Sequence, residues 1–88
     1  MNLVPPGVAE LNNGPIEVIP VIASFDSSGN ILPLYARIQG YEYKILRCWH
    51  KMEGACIIYY CTVENNRTQK EVPITYHPRE KCWTIKLR

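Results

Sequence analysis

Helical signal is missing from this sequence. No window of the 88 residues places apolar side chains at i, i+3, i+4 and i+7 over a helical length, which argues against an amphipathic helix. No apolar run approaches the roughly 20 residues that span a bilayer as a helix, so no membrane partner is expected. The opening Met1-Asn2-Leu3-Val4-Pro5-Pro6-Gly7 has neither the basic start nor the apolar core of a signal peptide. The expected location is therefore cytoplasmic, a compartment in which the thiols of Cys48, Cys56, Cys61 and Cys82 stay reduced.

Catalytic signatures are missing as well. There is no phosphate loop, no dinucleotide fingerprint and no His-Glu-x-x-His pair. The single aspartate, Asp26, sits in Asp26-Ser27-Ser28-Gly29-Asn30, a cluster built to turn the chain. A Ser/His/Asp set would have to be gathered from that turn and from the distant His50 and His77. Cys48 and His50 lie two apart on an expected strand and share a face, but nothing beside them supplies an oxyanion site. No Cys-x-x-Cys knuckle is present, and Cys56 and Cys61 are five apart, on opposite faces of one strand. The metal ligands worth tracking are Cys48, His50 and Cys56, which could meet across the turn at residues 51–55. The expectation is a protein that is not an enzyme, with no cofactor, no resident metal and no small-molecule substrate.

Basic residues are missing from the first 36 positions, which carry Glu10, Glu17 and Asp26. All ten Lys and Arg fall at or after Arg37, among five glutamates, and the whole chain is +2. No run of adjacent basic residues occurs. The alternation of signs therefore reads first as the solvated face of strands.

What is present is a two-residue beat. Residues 1–15 hold three prolines and two glycines and read as an extended N-terminal tail; residues 16–88 read as a single β-barrel-like domain. Strands are expected at Glu17–Phe25, Ile31–Gln39, Glu42–His50, Cys56–Glu64, Val72–His77 and Cys82–Leu87, with turns between them. In the second strand Leu32, Leu34, Ala36 and Ile38 share a face against Pro33, Tyr35 and Arg37. In the third strand the alternation slips, and a β-bulge near Leu46 turns Cys48 inward with Arg47 and Trp49 outward. The strand from Cys56 is apolar on both faces. Six short strands in 88 residues predict an all-β fold: a small antiparallel barrel or strongly curled sheet of SH3-like or OB-like architecture. Its core would gather Leu34, Ile38, Ile45, Tyr59, Cys61, Ile74, Trp83 and Ile85.

Such a fold leaves Tyr35, Trp49, Ile58 and Tyr60 on the outside, more apolar surface than a monomer usually shows. Tyr and Trp are favoured at interfaces, so the expected partner is a protein, or a second copy of the chain in a homodimer. The alternative is a nucleic-acid-binding barrel, in which Arg37, Lys44, Arg47, Lys51 and Arg67 meet phosphates and the aromatics stack on bases.

A set of residues also resembles a known kind of protein. The segments Ile19-Pro20-Val21-Ile22-Ala23-Ser24-Phe25-Asp26, Gly29-Asn30-Ile31 and Pro33-Leu34-Tyr35 come first. Gly40 to Ile45, the Tyr59/Cys61 pair and Tyr76 to Trp83 follow. Together they resemble small β-rich bacterial proteins of low-GC Gram-positive genomes. That resemblance implies a bacterial cytosolic single domain and carries no activity with it.

Overall fold

Alternating apolar residues with turn clusters between them give strands throughout the part of the chain that the computed structural model describes, residues 16–86. These are β1 (Ile16–Ile19), β2 (Val21–Phe25), β3 (Ile31–Ile38), β4 (Tyr41–Glu53), β5 (Cys56–Asn65), β6 (Thr68–His77) and β7 (Cys82–Lys86). They form one antiparallel sheet in the order β1-β7-β6-β5-β4-β3-β2, curled into a half-barrel. The expected all-β curled sheet is what the chain builds. The tail expected at 1–15 lies outside the described residues, as does Leu87 at the end of the last expected strand.

There are seven strands where six are expected, because Pro20 divides the first. Proline offers no N–H to a ladder, and here the chain changes neighbours. Ile19 lies opposite Trp83 of β7, whereas Val21 lies opposite Ala36 of β3. The Pro20 carbonyl accepts from the Arg37 amide at 3.0 Å. β1 and β2 are thus the two ends of the sheet, joined by one residue.

The inner face carries the core: Ile19, Ala36, Ile38, Ile45, Tyr59, Cys61, Val63, Ile74, Trp83 and Ile85 are buried there. Each residue expected in the core is among them except Leu34, which is only half-buried. The cause is a bulge. Ile22 faces Tyr35 and Ala23 faces Pro33, so Leu34 is the unpaired extra residue. Before it the alternation is inverted. Pro33 is fully buried and Leu32 is 50% exposed, the reverse of the face assignment the sequence suggests. The bulge expected at Leu46 is present: Ile45 faces Val63 and Arg47 faces Thr62.

Both bulges stand where β3 and β4 part. The two strands pair from Ile38–Tyr41 to Tyr35–Lys44 and no further. Beyond that point, among the described residues, Ile31–Leu34 has only β2 beside it, and Arg47–Glu53 has only β5. Bulges bend strands and end pairing, which is their effect here.

Turns set the strand lengths. Gln39-Gly40 and Asn66-Arg67 both have two residues of positive φ, the signature of a type I′ hairpin whose twist matches its strands. The second of these is tighter than the gap between the strands expected to end at Glu64 and resume at Val72, so β6 starts at Thr68. The turn at Gly54-Ala55 leads with a glycine at φ 62°, as a type II′ turn requires. It lets β4 continue through Lys51–Glu53, residues expected to belong to the turn. Among the described residues no helix is long and apolar enough to cross a membrane.

The bulge at Leu34 sets up a direct comparison of two aliphatic truncations. Ile74→Ala should lower the unfolding free energy by about 2–5 kcal/mol, as a buried large-to-small change does. Leu32→Ala should change it by less than about 0.5 kcal/mol, as at an exposed site. Urea denaturation followed by tryptophan fluorescence reads both.

Candidate interaction surface

On the outer face the register of β4, β5 and β6 stacks side chains in rows. Trp49 lies opposite Tyr60, and Tyr60 opposite Pro73. The Trp49 and Tyr60 rings stack with centroids 4.2 Å apart and an interplanar angle of 19°. A cross-strand aromatic pair of this kind stabilises the hairpin. Yet Trp49 remains 61% exposed, its second ring face open to solvent. The row on one side is Arg47–Thr62–Glu71, and the row on the other is Lys51–Ile58–Thr75. A groove of about 380 Å³ runs beside the stack, between Arg47, Glu71 and Pro73.

Of the four residues expected at an interaction surface, three come together. Trp49, Tyr60 and Ile58 occupy adjacent rows, with Ile58 and Tyr60 half-buried. Tyr35 is exposed but lies on β3 opposite Ile22 and Lys44, beyond the split, in a separate groove with Pro20 and Ile22.

The cations of the nucleic-acid alternative do not form a strip. Arg37 is held by Glu42 at 2.8 Å, Lys44 faces Glu64 in register, and Arg47 shares its row with Glu71. Lys51 is followed on the same strand face by Glu53. Arg67 sits in the β5–β6 turn, away from the aromatic stack. Of these cations only Arg37 touches a carboxylate among the described residues; Lys44, Arg47 and Lys51 share rows or strand faces with glutamates, so charges of both signs alternate on the face.

The edge of β4 is the feature that sequence reasoning did not anticipate. Among the described residues the strand has a ladder on one side only from Arg47 to Glu53, and all these residues are exposed except half-buried Cys48. The length of the Cys56 strand opposite it was the available signal. Its apolar residues run to the Gly54 turn and need a partner of equal length.

The chemistry-bearing side chains fall into separate places. Cys48 and His50 share the inner face, opposite Cys61 and Tyr59, while Cys56 points outward opposite Glu53. The three tracked metal ligands therefore do not converge. Among the described residues no group of three His, Cys, Asp or Glu side chains is arranged to hold a metal ion. Asp26 braces its turn as expected, accepting from the Ser28 and Asn30 amides at 2.9 and 2.8 Å. The Asn30 side-chain amide is the main cause of its lowered pKa.

His77, on the same strand face as Pro73 and Thr75, is 1% exposed. Its Nδ1 lies 3.2 Å from Cys56 Sγ and its Nε2 lies 2.8 Å from Thr84 Oγ1. Burial, helped by Glu80 and Glu53, raises the Cys56 pKa, and burial lowers that of His77. Both groups are thus neutral. A neutral imidazole donates at one ring nitrogen and accepts at the other, so it links the Cys56 thiol to the Thr84 hydroxyl in one hydrogen-bonded chain. This is the reverse of the ion pair that makes a reactive thiolate. The chain of bonds ties β5, β6 and β7 together at one end of the sheet.

No protein-family model matches the chain, no curated protein matches it, and no solved structure matches it.

Two outcomes follow from these environments. His77 binds its proton less readily folded than unfolded, where its pKa is near 6.5. Below that value the unfolded chain takes up the extra proton, so stability present above pH 6.5 is lost as pH falls through the folded pKa. His77→Gln should flatten this part of the stability–pH curve measured by chemical denaturation. Separately, burial and the neighbouring Cys48 push the Cys61 thiol up to about 12. Iodoacetamide at pH 8 should spare Cys61 in the native protein after the other thiols have reacted, as read by peptide mass mapping.

Proposed function

We propose that this chain is a non-enzymatic binding module that acts by protein–protein association, with a second copy of itself as the partner. The observation that carries the reading is the open edge of β4. Over Arg47–Glu53 the N–H and C=O groups that point away from β5 have no strand beside them among the described residues, and such groups are a template for another strand. Next to that edge lies the exposed ring of Trp49, backed by Tyr60, the residue pair that interface cores favour. Exposed Met52 adds apolar area on the inner side of the same strand.

Electrostatics favours a protein over a nucleic acid. Phosphate binding draws on a surplus of cations along one track. The outer face here matches Arg37, Lys44, Arg47 and Lys51 with Glu42, Glu64, Glu71 and Glu53. A balanced face suits a partner that carries both signs.

Sedimentation velocity across a micromolar series should show mass action between the 10.2 kDa chain and its dimer. Trp49→Ala should weaken that association by about tenfold or more while leaving the fold intact, since the ring is exposed. A chain that stays monomeric, together with salt-sensitive binding to single-stranded oligonucleotides, would overturn the reading in favour of nucleic acid.

A further inference from the structure

We infer that two copies pair antiparallel along β4, with the two-fold axis passing at His50, so that Arg47 of each copy faces Glu53 of the other. This rests on the self-association proposed above and fixes the surface and register through which it occurs.

The geometry narrows the choice. A dimer made by one surface meeting itself is two-fold symmetric. Extending a sheet edge to edge places the axis normal to the sheet, which keeps outer faces together. Directly opposed residues must then have the same orientation, so the axis passes at a residue and not between two. The usable stretch is short. It is bounded by the bulge at Leu46 and the turn at Gly54-Ala55, which leaves Arg47–Glu53.

Charge chooses among the remaining registers. An axis at Trp49 sets Arg47 against Lys51. An axis at Lys51 sets that lysine against its own copy. Like charges directly opposite are destabilising. An axis at His50 uses the whole stretch. It sets Arg47 against Glu53 twice by symmetry, and Lys51 beside the open ring of Trp49, a cation–π arrangement. On the inner side it sets Cys48 against Met52 and His50 against its copy. The carboxylate row-mate of Arg47 within the monomer is Glu71, two strands away, so Arg47 and Glu53 remain exposed and able to take the new pairing.

The test is a charge-swap cycle on the full chain, read by sedimentation velocity. Arg47→Glu and Glu53→Arg should each weaken dimerisation by roughly tenfold or more, because two attractive pairs become two repulsive ones. The double variant should recover wild-type association. A one-to-one mixture of the two single variants should form a heterodimer, since each chain then supplies the sign the other lacks. Arg67→Glu, in the turn at the far end, should change nothing. Circular dichroism of each variant confirms the fold, as both swapped residues are exposed. A wild-type chain that never dimerises overturns both this register and the self-association it rests on. A wild-type dimer that the single swaps leave intact overturns the register alone.

Discussion

The fold depends on one covalent constraint. Pro20 joins the strand at one end of the sheet to the strand at the other. A single residue spans only about 3.8 Å between neighbouring Cα atoms, so the two ends cannot lie apart as in an open sheet. The sheet must curl, and curling creates the enclosed inner face on which Ile19, Tyr59, Ile74 and Trp83 are buried. Proline suits this position for a local reason. At the hand-over between β7 and β3 its nitrogen has no ladder to serve, while its carbonyl bonds to Arg37.

That closure leaves the strain of curvature to be relieved elsewhere. The bulges at Leu34 and Leu46 do so, and they flank the last paired residues of β3 and β4, Tyr35 and Lys44. One pair of strands separates while the ladders on either side of it continue through their bulges. Tyr59 spans the inside of the opening, its hydroxyl donating to the Ile31 carbonyl at 2.8 Å. The hairpin of β2 and β3 is therefore fastened to the core even where it has left β4. The exposed β4 edge is a consequence of how the sheet closes.

Much of this was legible in the residues. The period-two pattern gives each strand, and the slip at Leu46 exposes its own bulge because Arg47 would otherwise point into the core. Leu34 gave no such warning. Every residue around it is apolar, so either face assignment looks reasonable until the partner strand is known. The same limit hid His77. Its burial depends on Cys56 and Thr84 arriving from two other strands, and cross-strand register is not written in any one segment. Of the residues proposed for the interaction surface, Trp49, Ile58 and Tyr60 could be grouped because they lie on one hairpin. Tyr35 was set apart by a break in pairing that only the closed sheet reveals.

The charges on β4 then have two roles to reconcile. Lys and Glu on an exposed edge ordinarily discourage strand addition, because an incoming chain must desolvate them. Arg47, Lys51 and Glu53 would act this way toward most sequences. Toward a second β4 in the proposed alignment they would become partners, and toward the neighbouring alignments they would stay repulsive. A sequence of mixed sign on a short edge thus excludes indiscriminate pairing while permitting a single register. An edge bounded by a bulge and a tight turn strengthens the effect, since it leaves few registers for the charges to choose among. The side chains that keep this surface soluble are, on this view, the same ones that select what it binds.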